Sequence, residues 1–133
     1  MPHFSITSLK RLQSCDERLQ RLFQSVVQRF DCTVLEGHRT RDRQDAAFAR
    51  GASTLQWPAS KHNALPSLAV DVAPWPIDWD DRDRFHLFGG VVLGTAQAMG
   101  LDIRWGGDWD GDTATQDNVF DDLVHFELRE ESP

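Results

Sequence analysis

The chain has no tyrosine, only two lysines, two cysteines and two methionines in 133 residues, and no long apolar run. Each absence excludes something. With Lys10 and Lys61 as the lone lysines and a net charge of −7, binding to a polyanion through charge is ruled out, so no nucleic-acid partner is expected. Cys15 and Cys32 are too few for a disulfide framework and lack metal-type CxxC spacing, so they read as free thiols. Without a stretch of membrane-spanning length, and with an N-terminus (MPHFSITSLKR) that has no apolar signal core, nothing predicts membrane insertion or secretion. Synthesis and accumulation in the cytoplasm are expected, with release needed for any action outside.

What remains is ordinary for a globular protein: 40% hydrophobic and 26% charged residues. The length suits one domain, residues 1–133. Ser14-Cys15-Asp16-Glu17 reads as a capping box before a helix with Leu19, Leu22, Phe23, Val26, Val27 and Phe30 on one face. Leu9 and Leu12 suggest a short helical turn before it. Cys32 to Glu36 is β-rich. Thr40 caps a second helix, filled by Ala46, Ala47 and Phe48 and closed by Gly51, its arginines a solvated face interleaved with Asp42 and Asp45. Residues 52–67 form a long loop, of a length that is usually functional. Leu68 to Val72 is a buried strand. Asp80 or Asp81 caps a long helix with a stripe of Phe85, Phe88, Val92, Ala96 and Met99, in which Gly89-Gly90 marks a close packing contact. Ile103 to Trp105 and Leu123 to Leu128 are strands around a second long loop, Gly106 to Asn118. Strands scattered among helices without a βαβ rhythm predict an α+β fold.

Chemistry concentrates at three positions. His62 and Asp71 lie on either side of Pro66. Alternation along the last strand puts Leu123, His125 and Glu127 on one face and Val124, Phe126 and Leu128 on the other, so His125 faces a cleft. Two histidines and an aspartate are a ligand set for a catalytic zinc with one position left for water. On spacing alone, such residues are satisfied structural groups more often than ligands. Asp122, at the start of that strand, is placed to reach a water without ligating the metal, and Glu127 to orient an imidazole.

Ser60-Lys61-His62 through Ala69-Val70-Asp71, followed by Asp122-Leu123-Val124-His125-Phe126-Glu127, resembles the two motifs of the M15 zinc peptidases. That family holds D-Ala-D-Ala carboxypeptidases and dipeptidases and phage L-alanyl-D-glutamate endolysins. Gly37-His38-Arg39-Thr40 with Gln44 is similar to its GxR…Q segment, and Trp105-Gly106-Gly107-Asp108-Trp109 to its WGGDW segment, so the likeness spans residues 37–128. It implies a small antiparallel sheet packed by helices, of the D-Ala-D-Ala carboxypeptidase and hedgehog-like kind. It further implies zinc on His62, Asp71 and His125, Asp122 as proton carrier, and Arg39 on the substrate or its tetrahedral intermediate. Two departures stand out. The interval from His62 to Asp71 is longer than the family's usual one, and Asp122 stands where many members have glutamate. The aspartate resembles the endolysin branch, which cuts between L-Ala and D-Glu of the peptidoglycan stem peptide. A monomeric phage endolysin acting on the host wall is therefore expected. The alternatives are a D-Ala-D-Ala dipeptidase or carboxypeptidase, and a non-catalytic zinc-stabilised wall-binding module. A further expectation is calcium at the acidic loop Asp108-Trp109-Asp110-Gly111-Asp112, with Asp117 nearby. His3, His38 and His86 have no partner pattern and are read as surface residues.

Overall fold

A computed structural model describes residues 2–111, 113 and 122–129. Its elements are α1 (Ile6–Gln13), α2 (Glu17–Val27), β1 (Cys32–Glu36), α3 (Arg41–Ala49), β2 (Ala69–Pro74), α4 (Arg82–Ala98), β3 (Ile103–Gly106) and β4 (Asp122–Leu128). A single 3-10 turn, Lys61–Asn63, interrupts the long loop before β2. The strands form one antiparallel sheet in the order β1-β2-β4-β3. This is the α+β architecture expected from the pattern.

One face of the sheet is apolar and carries α1, α2 and α4. Leu19, Leu22, Phe23, Val26 and Val27 of α2 are all buried, as their helical spacing requires. Phe126 of β4 is the meeting point: Phe23 and Phe88 meet it edge-on at 5.5 and 6.0 Å, and Trp105 stacks on it at 6.4 Å. Gly89 lets α4 come this close, since a Cβ there would lie 2.4 Å from the Trp105 ring. The predicted packing contact at Gly89-Gly90 is therefore made at Gly89, against Trp105.

Several local expectations shift. Asp16, not Ser14, caps α2, accepting from the Arg18 backbone N–H at 2.9 Å. Ser14 instead donates to the Arg11 carbonyl and accepts from the His38 N–H. The short turn at Leu9 and Leu12 is a full helix, capped by Ser5. Thr40 does cap α3 and Asp81 caps α4. In α3 the buried residues are Gln44 and Ala47, while Ala46 and Phe48 are exposed. Met99 leaves its stripe and ends α4 at 37% exposure. Both cysteines are buried and unbridged, and burial pushes each thiol up to about 12. They are inert packing groups.

The opposite face of the sheet holds the polar row. Register sets Asp71 of β2 directly across from His125 of β4, and Glu36 of β1 across from Asp71. A bulge between Val34 and Glu36 inserts Leu35 and brings Glu36, rather than Leu35, opposite Asp71. A second irregularity, between Trp105 and Gly106, pairs Gly106 with Asp122. It breaks the alternation at the start of β4: Leu123 turns into the apolar core, contrary to the expected cleft face, while His125 and Glu127 keep to the polar one.

Candidate metal centre

His62, Asp71 and His125 converge as the sequence expectation requires. His62 Nε2 lies 3.1 Å from Asp71 Oδ1 and 3.3 Å from His125 Nδ1, and His125 Nδ1 lies 3.2 Å from the same Asp71 oxygen. Zinc bonds of about 2.0–2.1 Å in a tetrahedron hold donor atoms about 3.3–3.4 Å apart, so the triangle has the size of one face of such a site. Among the described residues this is the one cluster of its kind.

The outward-facing atoms fix which lone pairs point inward. His62 Nδ1 donates to the Gly37 carbonyl at 2.7 Å, leaving Nε2 as the ligating nitrogen. His125 Nε2 meets Glu127 Oε1 at 2.8 Å, leaving Nδ1 for the centre. Three acceptors thus face one another, an arrangement that only a cation between them can satisfy. A proton is the smallest such cation. Burial by itself would lower the His125 pKa, but its hydrogen bonds to Asp71 and Glu127 outweigh burial and push it up to about 9. Burial likewise opposes ionisation of Asp71, yet the two histidines hold its carboxyl well below the usual carboxylate range. The donor set fits zinc in number, type and spacing.

Each ligand is positioned by a different device. Asp71 and His125 sit on adjacent central strands. His62 arrives on the 3-10 turn, capped by Ser60, whose side chain accepts from the His62 N–H at 3.2 Å. The His62 carbonyl accepts from the Arg39 N–H at 2.7 Å, tying the turn to the segment after β1. Gly37 has to be glycine there, because a Cβ would lie 2.3 Å from the Arg11 carbonyl oxygen. The longer His62-to-Asp71 interval is absorbed in the loop: Ser67 exchanges backbone bonds with Ser14 and Asp16, so β2 enters in register.

A cleft of about 590 Å³ opens over the centre, lined by Arg39, Lys61, Arg104, Trp109, Asp122 and residues of the 52–60 loop. Asp122 stands at its wall with His62, His125 and Glu127. Burial, and then the charge of Asp71, raise its carboxyl above the ordinary aspartate value. Arg39 is half-clamped: Nε and Nη2 bond Glu36 Oε1 at 2.9 and 2.7 Å, and Nη1 bonds Gln44 Oε1 at 3.0 Å. Its Nη2 is also 3.8 Å from Asp71 Oδ2. Fully buried Gln44 then reaches Ser53 and the Leu55 carbonyl, pinning the loop that forms one wall.

Two contributors, Glu36 and Lys61, escaped the sequence reading. Glu36 clamps Arg39 at a three-residue spacing that was visible, though nothing marked it as the relevant pair. Lys61 bonds Glu127 Oε2 at 3.2 Å and the Leu128 carbonyl, a link no local pattern reveals. It supports the hydrogen bond that orients His125; burial opposes ionisation of Glu127, but His125 and Lys61 together hold its carboxyl below the usual range. Trp109 lies 5.4 Å from the His125 ring, and the Arg104 guanidinium carbon sits 5.0 Å from the Trp109 ring centre. Of the remaining histidines, His3 is exposed, His38 bonds the Ala64 carbonyl and His86 packs edge-on against Trp105. In the acidic loop, Asp108 is buried and accepts from the Thr113 N–H at 2.9 Å. Two of the four carboxylates expected to hold calcium, Asp112 and Asp117, lie outside the described residues.

Comparison with known proteins gives one sequence profile, described as phage L-alanyl-D-glutamate peptidase, that matches residues 2–129. No curated protein is similar enough in sequence to match. Among solved structures, the chain is similar to the crystal structure of the L-Ala D-Glu endopeptidase ChiX of Serratia marcescens, at 25% identity. That likeness covers 96% of this chain and 90% of the other, with a TM-score of 0.75.

Proposed function

The chain belongs to the phage L-alanyl-D-glutamate peptidase family, and from that membership we propose a zinc-dependent endolysin that hydrolyses the L-Ala–D-Glu amide bond of the peptidoglycan stem peptide. The observation that carries the zinc dependence is the triangle of His62, Asp71 and His125, with the outer imidazole nitrogens already committed to Gly37 and Glu127. Zinc held there supplies a Lewis acid that polarises a carbonyl and acidifies a water.

The chain's own groups do the rest. Asp122 takes the proton of the attacking water and delivers it to the leaving amine; its raised carboxyl pKa suits a group that must both accept and return a proton. Arg39, braced by Glu36 and Gln44, steadies Asp71 and turns its charge toward the cleft, where a tetrahedral oxyanion develops. Trp109 and the 52–60 loop form walls of the cleft over the site. No described helix is long and apolar enough to cross a membrane, and the reading is of a monomer made in the host cytoplasm that reaches the wall after release.

The test is mass spectrometry of peptides released from purified peptidoglycan by zinc-loaded protein. New amino termini at D-Glu are expected, without new reducing sugar ends. Cleavage only between terminal D-Ala residues would replace this reading with a carboxypeptidase, and an inert protein with full zinc would replace it with a binding module.

A further inference from the structure

Three cationic side chains line the cleft among the described residues, and two are already engaged. Arg39 is held by Glu36 and Gln44, and Lys61 by Glu127 and the Leu128 carbonyl. Arg104 differs. Its guanidinium carbon sits 5.0 Å over the Trp109 ring, and its Nε is buried with no acceptor among the described residues. A buried guanidinium N–H without an acceptor is costly, and a stacked guanidinium is held in one plane, ready for a planar partner. The surrounding wall otherwise carries Asp110, Asp122 and Glu127, which repel an anion. Among the described residues no carboxylate pairs with Arg104, so its charge is open to a carboxylate that enters the cleft.

Distance to the chemistry is also right. Trp109 is a neighbour of both groups: its ring centre lies 5.4 Å from that of His125 and 5.0 Å from the Arg104 guanidinium carbon. Arg104 stands opposite Glu127 in the β3–β4 register and lines the same cleft as His125, so a group held by Arg104 lies beside the metal centre. A glutamyl residue that continues a peptide through one of its carboxyl groups keeps the other free, and in an L-Ala–D-Glu substrate that free carboxylate belongs to the residue on the leaving side of the scissile bond.

We propose that Arg104, fixed against Trp109, binds the free carboxylate of the D-Glu residue and makes the enzyme discriminate between that carboxylate and its carboxamide. The assignment rests on the L-Ala–D-Glu reading above. The test uses two synthetic stem peptides that differ only in this group, carboxylate or carboxamide, and zinc-loaded full-length protein. Wild type should favour the carboxylate by about tenfold to a hundredfold in kcat/KM, the range of a charge-assisted contact. Arg104→Gln should lose that factor on the carboxylate peptide and stay within about twofold on the carboxamide, bringing the ratio near one. Arg104→Lys, which keeps the charge without the planar fork, should retain part of the preference. Equal losses on both peptides, or a wild-type ratio in Arg104→Gln, would overturn the assignment. If wild type opens neither peptide yet cuts another wall bond, the proposed bond itself is wrong, a result separate from either of these.

Discussion

His125 sits between two carboxylates, and this sets how the proposed zinc centre would take up its metal. Asp71 and Glu127 hold its pKa up to about 9, so below that pH a proton must leave before its Nδ1 can ligate. Zinc binding at pH 7 should therefore release at least one proton per chain, and apparent affinity should climb as pH rises toward 9. Calorimetry in buffers of different ionisation enthalpy measures this; no buffer dependence at pH 7 would contradict it. Substitution separates ligand from proton carrier. His125→Ala should lose zinc and turnover together, as read by metal content and peptide release. Asp122→Asn should keep zinc and the fold while kcat falls by about 10²–10⁴-fold, the usual worth of positioned acid–base groups. At this scale the sequence was informative about residue type: His62, Asp71, Asp122 and His125 were each legible from motif and spacing. Their partners were not. Lys61 and Glu127 meet across 66 positions, and nothing local to either announces the other.

Among the elements, α3 shows how a function can invert a hydrophobic pattern. A helix with Ala46, Ala47 and Phe48 reads as packing through Phe48, yet Gln44 is the side chain with no exposure and Phe48 is 40% exposed. Gln44 joins Arg39, Asn63, Ser53 and the Leu55 carbonyl, so the helix is tied down by hydrogen bonds rather than by apolar area. Gln44→Leu leaves those partners unsatisfied and should cost about 1–3 kcal/mol. It should also lower activity with zinc retained, because the cleft wall loosens; chemical denaturation and metal content on one sample read both effects. In α4 the opposite constraint applies. Gly89→Ala pushes a methyl into the Trp105 ring, and overpacking of this kind costs about 1–3 kcal/mol. An unchanged denaturation midpoint would mean the helix can move away from β3.

For the molecule as a whole, the site joins the two central strands to the long loop, so a bound metal would be coupled to the fold. Zinc binding only the native state should raise stability by about 2.7 kcal/mol at a free concentration 100 times Kd, and a chelator should lower the melting temperature accordingly. The ligand-deficient His125→Ala variant should show no such shift. Helix periodicity, β-rich runs and caps at Thr40 and Asp81 are local properties of the chain, which is why the α+β class and nearly every element could be read in order. The M15-like motifs likewise pointed to His62, Asp71 and His125, which the fold brings together, since ligand chemistry restricts residue types wherever the chain joins them. Strand order and register could not be read that way. Setting Asp71 opposite His125, inserting Leu35 so that Glu36 faces Arg39, and turning Leu123 into the core are outcomes of pairing between distant segments and of two bulges. Bulges depend on how a whole strand fits its neighbours, and ion pairs such as Lys61 with Glu127 exist only after the chain has folded. The sequence alone determined which chemical groups were present; the tertiary structure decided which charges were paired and, among the described residues, left Arg104 lining the cleft without a carboxylate partner.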